Sequence, residues 1–159
     1  MQKMMGLVRR CIEDYNMIEA GDRVAVGVSG GKDSLTLLVV LAALREYYPI
    51  KFDLAALSVD MGLGGMDFSP VAELCARLNV PYLVKKTEIG PIIFDYRKEK
   101  NPCSMCAKMR RGALNDLMRE QGYNKIALGH HYDDAVETFL MSLLYEGRIS
   151  CFEPVTYLS

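Results

Sequence analysis

A short β-branched run from Arg23 to Val28 breaks into Ser29-Gly30-Gly31-Lys32-Asp33-Ser34 and resumes as a long apolar stretch from Leu35 to Tyr47. Strand, glycine turn and helix in that order make one parallel βα unit, because the helix carries the chain back to start the next strand beside the first. The pattern then repeats. Residues 52–59 read as a second strand, 66–78 as a helix with Ser69-Pro70 near its first turn, and 82–86 as a third strand. After a loop over 87–102, residues 103–121 read as a helix, 125–128 as a strand and 131–145 as another helix. The expected fold class is therefore α/β, a three-layer parallel sheet with helices on both faces in the Rossmann-like manner. Met4, Leu7, Val8, Cys11, Ile12 and Tyr15 recur at helical spacing and predict an amphipathic helix within residues 1–18 that packs on the following unit. One domain over 1–159 is expected, with Gly62-Leu63-Gly64-Gly65 as a mobile loop and not a boundary. Phe152 to Leu158 reads as a further strand just before the chain stops, which predicts that a carboxyl-terminal segment of a longer protein is missing.

Hydrophobic residues make up 50% of the chain and charged residues 25%, proportions of a protein with a real core. The longest uncharged apolar stretch, Leu35 to Leu44, is far short of the roughly 20 residues that span a bilayer. Charges interrupt the amino-terminal segment where a secretory signal needs an apolar run, so the expected compartment is the cytoplasm, with no membrane partner. Five cysteines in such a chain argue against a disulfide framework. A formal charge of −1 provides no global field for a polyanion, so an RNA partner requires a local basic patch or a further segment.

Gly30 and Gly31 permit close phosphate approach, Ser29 and Ser34 add hydroxyls, and the helix that opens at about Ser34 aims free amides at the same place. Lys32 neutralises charge there, and Asp33 is placed to hold a Mg²⁺ ion bridging phosphates. Asp33 stands where a Walker A loop needs Ser or Thr, and no G-x-G-x-x-G follows Val28, so the commoner nucleotide signatures do not fit. The six residues resemble the PP-loop of the ATP-pyrophosphatases, whose fold is that of the adenine nucleotide alpha-hydrolases. The resemblance implies ATP cleavage between the α- and β-phosphates to give an adenylated intermediate.

Gly129-His130-His131-Tyr132-Asp133-Asp134-Ala135-Val136-Glu137-Thr138 resembles the G-H-H-x-D-D-x-x-E-T signature of the tRNA-modifying branch of that superfamily. Gly129 and His130 are expected to approach the nucleotide, as is Asp60 at the end of the second strand. Plainer roles stay open: Asp133, Asp134 and Glu137 suit a helix start, the histidines suit backbone pairing at a strand end, and Asp60 suits turn capping. Cys103 and Cys106 stand at C-x-x-C spacing, which fits a metal, a cluster, a redox pair or two core thiols.

The segment Pro102-Cys103-Ser104-Met105-Cys106 through Arg110-Arg111-Gly112 is similar to that of the tRNA 2-thiocytidine synthetase family. This resemblance implies a [4Fe-4S] cluster on three cysteines, with Cys103 and Cys106 as two of its ligands and the third in a later segment; Cys151 is not at that position. It also implies catalytic roles for Lys32, Asp33, Arg110 and Asp133, and partners that include tRNA and a sulfur donor protein or sulfide. A homodimer is left open. Lys98, Lys100, Lys108, Arg110 and Arg111 are candidates for tRNA phosphates or for a solvated basic face. The alternatives are another adenylating relative, such as a tRNA-isoleucine lysidine synthetase, and a non-catalytic ATP-binding module.

Overall fold

The structure, a computed structural model, describes residues 2–97 and 102–157. The elements run α1 (Gln2–Asp14), β1 (Arg23–Gly27), α2 (Lys32–Tyr47), β2 (Asp53–Asp60), α3 (Ser69–Arg77) and β3 (Tyr82–Lys86). A single helical turn follows, α4 (Ile89–Pro91), then a π-helical turn over Ile92–Arg97, α5 (Pro102–Glu120), β4 (Lys125–Ala127), α6 (Tyr132–Met141) and a second π-helical turn over Ser142–Glu146.

All pairings are parallel and the strand order is β3-β2-β1-β4. The chain steps outward from β1 to β3 and then returns to the far side of β1 to form β4. That return is the topological switch point, and the crevice beyond the carboxyl ends of β1 and β4 is where ligands of such sheets bind. Val24 lies opposite Leu54 and Lys125, and Val26 opposite Ala56 and Ala127. This register sends Val24, Val26, Leu54 and Ala56 to one face, where Leu38, Leu41 and Leu44 of α2 and Val71 and Cys75 of α3 cover them. Alpha2 is apolar on nearly every side because it lies between the sheet and α1. Ala25 and Leu57 face the other way, onto Leu117 and Met118 of α5.

A buried carboxylate ties the amino-terminal ends of β1 and β4 together. Asp22 accepts hydrogen bonds from the Glu19 amide at 2.6 Å and Asn124 Nδ2 at 2.7 Å, and meets Lys125 Nζ at 2.7 Å. Burial alone would raise its pKa, but these donors outweigh it and hold the carboxyl below its usual range.

The parallel sheet and its helices match expectation; several local readings are corrected. The first helix ends at Asp14, not residue 18, and turns through Asn16 at φ 48°. Its packed side is Met5, Val8 and Ile12, whereas Met4, Leu7, Cys11 and Tyr15 are exposed. Alpha2 opens at Lys32, two residues before Ser34. The third helix starts only at Ser69, whose amide bonds to Asp67 Oδ1 at 2.9 Å, with Pro70 in its first turn. The expected loop over 87–102 holds α4 and a π turn that bury Ile89 and Ile93. Residues 152–157 form no strand, and Leu158 lies outside the described residues. None of the described helices is long and apolar enough to cross a membrane.

Candidate nucleotide site at the switch point

Beta1 ends at Gly27, Val28 stays extended, and the chain swings into the loop. Gly30 has φ 83°, a conformation that side chains disfavour, and nothing lies within 4 Å of where its Cβ would be. The loop closes on itself through two serines. Ser29 N–H donates to Ser34 Oγ at 3.2 Å, Gly31 N–H donates to Ser29 Oγ at 3.4 Å, and Ser34 Oγ donates to the Gly31 carbonyl at 2.9 Å. Ser34, which is buried, therefore shapes the loop from beneath. Gly31 is the N-cap of α2, and its cap carries no side-chain hydrogen bond. The first amides of the helix and its positive dipole end are thus available to an anion, beside the exposed Lys32.

The segment after β4 lies directly against this loop. A Cβ on Gly129 would sit 2.8 Å from Ser34 N and 2.9 Å from the Asp33 carbonyl carbon, so only glycine lets the two backbones touch. His131 then caps α6. Its Nδ1 accepts from the Asp133 amide at 3.2 Å, while its own amide donates to Asp134 Oδ2 at 2.8 Å, which completes a capping box. With Nδ1 engaged as an acceptor, Nε2 carries the ring's donor and faces Asp33 Oδ1 at 3.8 Å. His131 was not among the sequence-selected binding residues. Its H-x-x-D spacing to Asp134 was the available signal, a variant of the capping-box pattern. His130 lies instead against the Phe152 ring, with centroids 5.2 Å apart. Asp133 and Glu137 are exposed on α6.

Two further groups occupy the same rim. Asp60 accepts from the Gly62 amide at 2.9 Å through Oδ1, and its carbonyl accepts from Thr87 Oγ1 at 2.7 Å. The turn-capping role is thereby realised. Gly62 is itself fixed, because a Cβ there would be 2.5 Å from the Thr87 carbonyl oxygen. Met61, next in the chain, brings its Sδ to 3.5 Å from Cys106 Sγ, so the amino-terminal end of α5 stands at the carboxyl end of β2. Cys103 is exposed and Cys106 half-buried. Arg110, two helical turns beyond Cys103, shares its side of α5 and is exposed. The other cysteines lie elsewhere: burial in the core raises the Cys75 thiol, Cys11 is on α1, and Cys151 Sγ donates to the Ala135 carbonyl at 3.3 Å. Among the described residues no three His, Cys, Asp or Glu side chains converge as a metal-holding group. Lys98 and Lys100 of the expected basic patch lie outside the described residues; Lys108, Arg110 and Arg111 are exposed along α5.

With two motifs joined at one switch point, a likeness to known proteins has a physical basis. Residues 5–152 match the family described as the PP-loop domain. The chain belongs to that family. A PP-loop relative from Geobacter metallireducens, named tRNA-cytidine(32) 2-sulfurtransferase, is 42% identical over 154 residues, covering 96% of this chain and 60% of the relative. A protein of the same name from Anaeromyxobacter dehalogenans is 41% identical over 96% of this chain and 53% of its own length. Among solved structures, the U34-tRNA thiolase NcsA from Methanococcus maripaludis with its [4Fe-4S] cluster superposes with TM-score 0.73 and 26% identity, over 89% of this chain and 49% of that one. An NH3-dependent NAD synthetase from Campylobacter jejuni shares the fold at TM-score 0.53 and 17% identity, over 92% of this chain and 73% of that one. The chain thus spans about half to three-fifths of the length of the curated relatives it matches.

Proposed function

We propose that this chain is the ATP-binding, adenylating part of a tRNA-modifying sulfurtransferase that acts in the cytoplasm. The observation that carries the reading is the contact of Gly129 with the backbone of Asp33 and Ser34, which makes one mouth from the two motifs. In this reading the amides around Gly30 and Gly31 and the ammonium of Lys32 grip the phosphates. A base carbonyl oxygen attacks the α-phosphorus, pyrophosphate leaves, and the base carries AMP. Developing charge is met by Lys32 and by Arg110 from α5, in keeping with a reaction that depends mostly on positioning and neutralisation. Displacement of AMP by sulfide-level sulfur, free or delivered by a donor protein, leaves a thiocarbonyl in place of the carbonyl.

Asp33 fits a Mg²⁺ ligand: its carboxylate is 45% exposed, stands in the first turn of α2 and turns toward the mouth side occupied by His131. When bound there, the ion supplies charge neutralisation between phosphates. Asp60 and Asp133 serve as flanking carboxylates, and Ser29, Ser34 and His130 as supports of the nucleotide pocket. The cluster is a different matter. Cys106 brings its thiol to Met61 and Cys103 stands exposed one turn earlier on α5, but no third ligand joins them among the described residues. That same observation supports a second reading, in which this chain by itself binds ATP without completing thiolation.

Incubation with ATP, Mg²⁺, tRNA and sulfide, which supplies the group that displaces AMP, followed by separation of AMP and pyrophosphate, tests the proposal. Release of both products is expected from the chain, and Asp33→Ala is expected to lower it by at least about 100-fold, the scale of losing a transition-state contact. Tightly bound ATP that stays intact would point to the second reading, and turnover that survives Asp33→Ala would reject the assignment.

A further inference from the structure

Ser58 is a buried hydroxyl in the middle of a parallel sheet, where an apolar side chain is the usual occupant. It sits on β2, directly below the glycine loop. The β1–β2 ladder ends at the pair Gly27 and Leu57, followed only by the Val28 amide donating to the Leu57 carbonyl at 2.8 Å. The Val28 carbonyl has no place in that ladder, because the strands part here to open the mouth. Ser58 Oγ takes its place, donating to the Val28 carbonyl at 2.6 Å. Tyr82 on β3 in turn donates its hydroxyl to Ser58 Oγ at 3.0 Å. A serine has one proton to give; with Tyr82 filling an acceptor position, that proton is committed to Val28.

We propose that Ser58 and Tyr82 are positioning residues for the phosphate loop, a relay across three strands that fixes the carbonyl from which the loop departs. Among the described residues, every other side-chain hydrogen bond to the loop backbone comes from Ser29 or Ser34, which belong to the loop itself. Among the described residues, Ser58 is the one side chain from outside that hydrogen-bonds the backbone of residues 28–31. Without it the loop keeps its internal shape but loses its fixed angle to the sheet. The angle matters because Gly129 is packed against the far end of the same turn with no slack. This inference rests on the phosphate-grip reading above for its functional weight, though not for its structural test.

The test compares the wild-type chain with Ser58→Ala and Tyr82→Phe. The readouts are amide hydrogen exchange at Val28 and Ser29 without ligand, and equilibrium binding of ATP with Mg²⁺. Ser58→Ala is expected to speed exchange at those two amides while the amides of β1 and β2 below them keep their protection, and to weaken ATP binding about 5- to 20-fold, the scale of one lost buried hydrogen bond. Tyr82→Phe keeps the ring and should produce the same local change at a smaller scale, about 2- to 5-fold. Exchange accelerated uniformly through the sheet, with affinity unchanged, would make the relay merely structural and overturn the inference. So would unchanged exchange at Val28 and Ser29. If Ser58→Ala does not fold, Tyr82→Phe decides on the same criteria. Should the wild-type chain fail to bind ATP, the grip reading falls while the exchange comparison still decides whether the relay positions the loop.

Discussion

The two faces of the sheet are covered very differently. On one, α1, α2 and α3 close over Val24, Val26, Leu54 and Ala56, and the buried cluster runs unbroken from Ile12 to Val80. On the other, the buried cluster is only Ala25, Leu57, Leu117 and Met118, with Leu83, Leu114, Tyr123 and Ile126 partly buried around it. Alpha6 buries none of its residues, and Leu140, Met141, Leu143 and Leu144 at its end are exposed. The glycine loop therefore leads into the best-packed helix of the molecule, while the second motif opens a helix held chiefly at its first turn. Rigidity is concentrated where phosphates would be gripped, and the lightly held side carries the carboxylates and the cysteine helix.

Side-chain truncation on each face should separate the two most strongly. Leu38, fully buried in α2, should cost about 3–5 kcal/mol on replacement by Ala, whereas Leu144→Ala should stay within about 0.5 kcal/mol. Urea unfolding followed by circular dichroism checks both, and equal losses would show that the faces are energetically alike.

Next comes the seam between the motifs. Gly129→Ala places a methyl 2.8 Å from Ser34 N, so one backbone must retreat. ATP cleavage should fall about 10- to 100-fold, or about 1.4–2.7 kcal/mol in the barrier, because misplacement on the ångström scale is costly. Unchanged turnover would mean that the motifs act independently.

The smallest expected effect concerns the base of the sheet. Because its folded-state pKa is depressed, Asp22 contributes stability that is fully present above its unfolded pKa and lost as pH falls through the folded value. Asp22→Asn should accordingly cost about 1–2 kcal/mol at pH 7, the scale of a charge-assisted hydrogen bond. That gap to wild type should begin to narrow in denaturation curves as pH falls below the usual carboxylate pKa of about 3.9, and close only below the depressed folded value. A gap that stays constant with pH would assign the effect to packing.

Much of this architecture was legible from residue order. The four strands fell within a residue or two of expectation because short apolar runs bounded by glycine, proline and charge have few other options. The position of the glycine loop at the crevice followed from the βα alternation itself. What was not legible depended on which neighbour arrived. Met4, Leu7 and Cys11 form a helical stripe as regular as Met5, Val8 and Ile12, one residue along, and only the surface of α2 selects the second. The π turns at 92–97 and 142–146 carry no local signature that separates them from loop or helix. In sequence His130, and not His131, is the expected neighbour of the nucleotide. The α6 cap and the nearness of Asp33 separate them in space, His131 facing the loop and His130 resting on Phe152. Cys151 is engaged beside α6, where its thiol donates to the Ala135 carbonyl, and does not join the cysteine pair of α5.

The bare backbone contact at Gly129 also limits how such a sequence is able to drift. Any residue larger than hydrogen at that position must be accompanied by a compensating retreat at Ser34, so the two sites are expected to vary as a pair although 95 residues separate them along the chain. An insertion tolerated in one loop has to be answered in the other, which leaves α5 and the end of α6 as the places where length and chemistry are freer to diverge.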